Sequence, residues 1–152
     1  MTAATSLTMA TTRRQWLAAS VWALATPAWA ASLSSQDAKA VRQVVEAQLK
    51  AMAEGDAERA FSYAAPAIRT QFGDAQRFMA MVAGSYPMVI RPATTVFFQP
   101  TLDGDGDVLQ VVQLRDAAGK FWRASYLLAR QADRQWRIAG CVVAPESSAS
   151  TT

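Results

Sequence analysis

Histidine is absent from the 152 residues, and cysteine occurs once, at Cys141. Without histidine there is no imidazole base, no imidazole metal ligand and no Ser-His-Asp triad. A single thiol makes neither an internal disulfide nor a multi-cysteine zinc site. Charge is sparse too, with 18 % of residues charged against 51 % apolar. No cofactor-binding or metal-ligating spacing is present. No apolar run reaches the roughly 20 residues that span a bilayer.

What is present begins with an address. In "TTRRQWLAASVWALATPAWA", Arg13 and Arg14 form a positive region free of acids. The Ala-rich apolar run Leu17 to Leu24 follows, and Ala28-Trp29-Ala30 supplies small residues around a cleavage point. This is the layout of a secretory signal peptide over residues 1–30, expected to be cut after Ala30. Thr12-Arg13-Arg14-Gln15-Trp16-Leu17 also resembles the twin-arginine export motif. A general-secretion signal that carries two arginines fits the same residues. Either route places the mature protein in the bacterial envelope, periplasmic or secreted, meeting the membrane only during export.

The two arginines account for most of the excess charge. The whole chain has 15 basic and 12 acidic residues, so 13 basic and the same 12 acidic remain beyond residue 30, a net of +1. Nucleic-acid binding needs a concentrated basic face, and this balance argues against it.

After a linker at residues 31–35, the pattern is helical. Ser34 or Ser35 can cap a helix through "QDAKAVRQVVEAQLKAMAE", with Val41, Val44, Val45, Leu49 and Met52 in one apolar stripe. Gly55 stops it and Asp56 caps "AERAFSYAA", which breaks before Pro66. "PAIRTQF" gives another turn or two. Gly73-Asp74 repeats the stop and cap before "AQRFMAMVAGSY", where Phe78, Met79 and Val82 share a face.

Past Pro87 the sequence turns to β-branched and aromatic residues. "TTVFFQP", "VLQVVQL", "FWRASYLLAR" and "QWRIAGCVVA" read as four strands. Short turns predict an antiparallel meander, and helices before an antiparallel sheet predict an α+β fold with the helices on one sheet face. Alternation puts Trp122, Ala124, Tyr126 and Leu128 on one side of the third strand. It groups Trp136, Ile138, Gly140 and Val142 on one side of the fourth, and Cys141 with Arg137, Ala139 and Val143 on the other. The domain is expected over 36–144, with a disordered tail at 145–152.

The run "DGDGD" raises the question of calcium. From Asp103, positions 1, 3 and 5 of an EF-hand loop are filled, but position 6 is Val108 and position 12 is Leu114. The turn glycine and the bidentate carboxylate are missing. Asp and Gly instead supply the backbone angles of a tight hairpin.

The amphipathic first helix, "GDAERAFSYAAP", "FGDAQRFMAMV", "YP", a Trp-centred strand and a closing "WRIAGCVV" together resemble bacterial domain of unknown function 4864. That family in turn resembles the nuclear-transport-factor-2-like superfamily. The resemblance spans about residues 36–144 and implies a cone of helices wrapped by a curved sheet. The family has no assigned activity, and the cone hosts isomerases, dehydratases, hydrolases and pure binding modules. Enzymes of that superfamily often use a buried Asp or Glu as base, with Tyr or Asp donating to an oxyanion.

Here the acids fall at caps and turns: Asp37, Asp56, Asp74, Asp103, Asp105, Asp107, Asp116 and Asp133. Glu46 and Glu54 lie on the polar side of the first helix. No carboxylate base is placed in a cavity, and no catalytic or metal residue is assigned. Tyr63, Tyr86, Tyr126, Trp122 and Trp136 are the candidate cavity lining, since each joins an apolar body to a polar tip. Gln110 and Gln113 point to opposite sides of their strand. Arg91, before Pro92, can hold an anion or lie solvated at the surface. Cys141 reads as a small buried hydrophobe, with Arg137 near enough to keep a reactive thiol in view. Met79, Met81 and Met88 lack a metal-binding spacing and read as core filler.

The expected function is an exported binding or interaction module without a cofactor. Its partner is an apolar small molecule, an envelope protein, or a second copy paired through the sheet. The alternative is a cofactor-free enzyme of the cone type.

Overall fold

The computed structural model describes residues 32–147. The expectations for the signal motif Arg13–Arg14 and for cleavage at Ala28 and Ala30 lie outside the described residues.

Helix α1 spans Ser35–Ala53, with Ser34 as its N-cap. The Ser34 hydroxyl accepts from Asp37 N at 3.0 Å and donates to Asp37 Oδ2 at 2.8 Å, closing the first turn. Gly55 ends the helix at φ 73, a left-handed conformation that glycine adopts without a Cβ penalty. Helix α2 is Ala57–Ser62 and α3 is Pro66–Phe72. Helix α4, Ala75–Ser85, is capped by Asp74, whose side chain accepts from Arg77 N.

Two departures from the sequence reading have local causes. The second helix stops three residues short of Ala65 because the chain pairs with the sheet instead. Ala65 N donates to Ile138 O at 2.8 Å and Ile138 N donates to Tyr63 O at 2.9 Å. A further short helix, α5, forms at Pro87–Ile90, where proline opens a helix with φ preset and no N–H to waste.

The strands are β1 (Thr94–Phe97), β2 (Thr101–Leu102), β3 (Val108–Arg115), β4 (Phe121–Arg130) and β5 (Trp136–Pro145). All pair antiparallel in the order β1-β3-β4-β5, with β2 on the same edge of β3 as β1. The expected four-strand meander is therefore present, with its first strand broken in two. Pro100 cannot donate to the ladder. The Gln110 side chain fills the break, its Nε2 donating to Phe98 O at 2.7 Å and to Val111 O at 3.0 Å. Asp103 Oδ1 accepts from the backbone N of Asp105 and Asp107 at 3.0 and 2.9 Å, so its carboxylate builds the β2–β3 turn. Strand β5 runs on to Pro145, and Glu146 N donates to Phe121 O, so the expected tail is in place through Glu146.

The helices pack on one face of the curved sheet, making an α+β fold. Val41, Val45 and Met52 of α1 meet Val108, Val112, Leu114, Ala124 and Leu128 in one buried core. One irregularity decides which side chains face it. Leu127 pairs with Gly140 but Leu128 pairs with Ile138, leaving Ala139 as an extra residue in β5. This β-bulge reverses the alternation beyond it. Tyr126 faces the core and pairs directly with Cys141, and Ala124 pairs with Val143. Directly opposed residues share a face, so Cys141 and Val143 join Trp136 and Ile138 on the helix side. Val142, expected there, points outward and is 68 % exposed.

Candidate functional site

A cavity of about 290 Å³ lies between the helices and the β4–β5 half of the sheet. Each element contributes side chains for a local reason. The α1 stripe supplies Gln48 and Met52, and α3 supplies Ile68, Gln71 and Phe72. Phe78, Met81 and Val82 come from α4, and Tyr86 and Val89 from the α4–α5 junction. Tyr126, Ile138, Cys141 and Val143 form the sheet wall, the last two placed there by the bulge. The phenyl ring of Phe72 meets that of Phe78 edge-on at 5.6 Å, stiffening the apolar side. Gln71, Ala139 and Cys141 are the exposed members, which puts the mouth between α3 and β5.

The wall contains no Asp, Glu, Lys or Arg. Its polar atoms are few. Gln48 is 3 % exposed and donates its Nε2 to Ala60 O at 3.1 Å. Tyr126 is 1 % exposed, and its hydroxyl has no hydrogen-bond partner among the described residues. Burial pushes the Tyr126 phenol well above its ordinary value of 10.0, with the neighbouring Cys141 adding to the rise. Cys141 lies beside that hydroxyl and interacts with it as a weak sulfur partner, outside the geometry of a full hydrogen bond. Part of the residue is exposed to solvent, while protein atoms around the thiol desolvate it. Burial accordingly pushes it up from 9.0 to about 12, partly offset by Tyr126. Tyr126 and Cys141 are therefore both protonated at neutral pH.

Of the five aromatic residues expected to line a cavity, Tyr86 and Tyr126 stand on this one. The other three lie elsewhere. Trp136 Nε1 donates to Asp37 Oδ1 at 3.2 Å, while Arg130 pairs with the same carboxylate and lies over the indole ring. Asp37 thereby ties α1 to β4 and β5. Its carboxyl is held below the ordinary 3.8 by the Ser34 hydroxyl first, then by Trp136 and Arg130, against an opposing desolvation. Trp122 Nε1 donates to Asp116 Oδ2 at 2.9 Å with Lys120 over its ring. Tyr63 is half-buried on the far side of α1, beside Gln43 and Val44.

Arg91 Nε donates to Ala53 O at 3.0 Å, capping the carbonyl end of α1. Gln113 faces outward to Glu146, and Gln110 faces inward but is sealed beneath the β1–β2 break. Gln48, Met52, Gln71 and Cys141 are wall residues that the sequence reading did not select. A signal existed for one of them, since Gln48 is a polar residue inside the apolar stripe of α1.

Residues 34–151 match the family described as a domain of unknown function, DUF4864. The chain belongs to that family. No curated protein and no solved structure is significantly similar to it. Membership in DUF4864 thus carries no reaction or ligand to this cavity, whose chemistry rests on its own wall. No helix among the described residues is long and apolar enough to cross a membrane.

Proposed function

We propose that the protein is an exported, non-catalytic module that binds a small apolar molecule in the cavity between its helices and sheet. The observation that carries this reading is the wall: aliphatic and aromatic side chains, with a few convergent polar atoms and no formal charge. Small-molecule sites have that composition, and their volumes run from about 300 to 1,000 Å³. At about 290 Å³ the cavity lies at the lower edge of that range. Proton-transfer chemistry wants a group that titrates near the working pH. Tyr126 and Cys141 are both displaced away from it, which supports binding over acid–base catalysis.

Export is part of the same reading. The Arg13–Arg14 segment and the Ala28–Ala30 site support it, and the family match starts beyond the expected cleavage point. The nuclear-transport-factor-2-like cone is likewise proposed, supported by the order of helices before a curved antiparallel sheet.

Native mass spectrometry of untagged protein from its host's envelope fraction tests the whole reading. Cleavage after Ala30 and an extra mass that leaves on denaturation are expected. Full-length mass with no envelope enrichment would remove the export claim. An empty cavity in protein from every fraction would remove the ligand.

A second reading draws on the outer sheet face, where Val96, Phe98 and Val142 are 50 %, 44 % and 68 % exposed. Two copies paired through that face would cover these side chains. Light scattering on the native protein and on Val142→Glu would show a dimer that the charge dissolves, or a monomer in both cases.

A further inference from the structure

We infer that the cavity takes compact neutral alcohols, with the ligand hydroxyl donating to Gln48 Oε1 and the apolar body against α3 and α4. This rests on the binding reading above and narrows it to a chemical class.

Geometry comes first. Val41, Val45, Gln48 and Met52 follow at three- and four-residue steps along the buried face of α1. Gln48 is the polar member of that face and is 3 % exposed. Its Nε2 donates at 3.1 Å to Ala60 O, a carbonyl in the last turn of α2. Carbonyls at a helix end have no helical donor. Only the NH₂ end of an amide can meet a carbonyl, so this bond fixes the amide and leaves Oε1 as its free end. Among the described residues Gln48 Oε1 accepts no hydrogen bond. It is not sealed either, because the occluded, unpartnered side-chain oxygens are Gln110 Oε1 and Tyr126 Oη. The small surface that Gln48 keeps therefore includes Oε1, and the opening it lines is the cavity.

Polarity comes second. Tyr126 is occluded beside Cys141, Tyr86 is half-buried and Gln71 is exposed at the mouth. The polar side chain presented to the interior is thus an acceptor. A ligand without a donor leaves that acceptor unpaired, which costs affinity. A hydroxyl supplies the donor as one small neutral substituent. An ammonium group also donates, but no acid lines the wall to balance its charge, and a carboxylate finds no cation there. Either ion would lose its hydration without compensation.

Size comes third. A dry cavity of roughly 150 Å³ holds benzene. About twice that volume, 290 Å³, suits a bicyclic skeleton or a chain of similar bulk.

Four probes of one skeleton separate these claims. Indane is apolar, 2-indanol brings the donor, 2-methoxyindane keeps the oxygen without it, and 2-aminoindane brings donors with a positive charge. Dissociation constants are measured by calorimetry on the purified protein and on Gln48→Met, which keeps the side chain's length and removes the amide. One neutral hydrogen bond converts to roughly fivefold in affinity. The protein should bind indanol about that much more tightly than its methyl ether, and aminoindane more weakly than indane. In Gln48→Met the affinity of indanol relative to indane should fall roughly fivefold, while indane binds as before and so reports a folded variant. If the variant does not fold, the alcohol and ether in the unmodified protein decide alone. An ether that binds as tightly as the alcohol, an indanol-to-indane ratio unmoved by Gln48→Met, or tighter binding of aminoindane than of indane would overturn the alcohol assignment and leave the binding reading in place. Failure of all four probes to bind up to their solubility would remove the binding reading itself.

Discussion

Replacing Tyr126 with phenylalanine should stabilise the unliganded protein, although most core substitutions do the reverse. The ring stays and keeps its contacts with the surrounding core, where Tyr126 is 1 % exposed. Only the hydroxyl leaves, and among the described residues it makes no hydrogen bond of full geometry, with Cys141 as its weak sulfur neighbour. A buried polar group without a partner costs about 1–3 kcal/mol. Against that stands a small void where the oxygen was, which removes part of the gain. A net stabilisation of about 1–2 kcal/mol follows, worth roughly 3–10 °C in Tm for a domain of this size. Thermal unfolding followed by circular dichroism measures it, with ligand removed by refolding from denaturant. Tyr86→Phe is the control, because Tyr86 is only half-buried and its hydroxyl is not among the buried unpartnered atoms. That change should stay within about 0.5 kcal/mol. A larger fall in Tm for Tyr126→Phe than for Tyr86→Phe would contradict this account. It would mean that the contact with Cys141 satisfies the hydroxyl in the folded protein.

Other consequences are simpler to check. Cys141 should react slowly despite its accessible surface: a thiol raised from 9.0 to about 12 has far less thiolate at pH 8. Iodoacetamide should modify the folded protein roughly a hundredfold or more slowly than the urea-unfolded chain, and comparable rates would contradict the environment described. Gly55→Ala should cost about 1–2 kcal/mol, because φ is 73 there while nothing lies within 4 Å of an added Cβ; chemical denaturation reads the loss, and an unchanged midpoint would mean that the helix end relaxes. Asp37 has its carboxyl below the ordinary 3.8 in the folded state. Its contribution is therefore complete above that value and is lost as pH falls through the lower folded value. Asp37→Asn should flatten the fall in Tm between pH 5 and the acid limit, and parallel pH profiles would assign the acid loss elsewhere.

Much of the fold follows from local chemistry. Ser34, Asp56 and Asp74 cap the helices the sequence marks for them, and Gly55 and Gly73 take positive φ at their ends. These signals act over three or four residues, so nothing distant overrides them. Strand existence is legible for the same reason. The limits appear where the tertiary structure intervenes. Helix α2 stops early because Tyr63 and Ala65 pair with Ile138, more than seventy residues away in the chain. The break between β1 and β2 depends on Gln110 reaching across to Phe98 O.

The candidate site is less legible. Tyr86 and Tyr126 stand out by composition, but so do Trp122 and Trp136, whose indole N–H groups go to Asp116 and Asp37. Aromatic residues with a polar tip satisfy that tip wherever an acid is near, and sequence does not reveal which acid is near. Alternation puts Cys141 on the wrong face, because it holds only while every residue pairs. Ala139 does not, and no glycine or proline at that position marks the change.

That unpaired residue makes the composition of the cavity depend on one backbone irregularity. If Ala139 paired with Leu127 instead of being passed over, the rest of β5 would slip by one residue against β4 and turn over. Val142 and Ala144 would then enter the wall, and the thiol would leave it. Deleting Ala139 would do the reverse: Gly140 would follow Ile138 in regular alternation, and Cys141 would keep its place opposite Tyr126. What the cavity presents on the sheet side is therefore held by the bulge itself, and survives loss of the bulged residue but not its pairing.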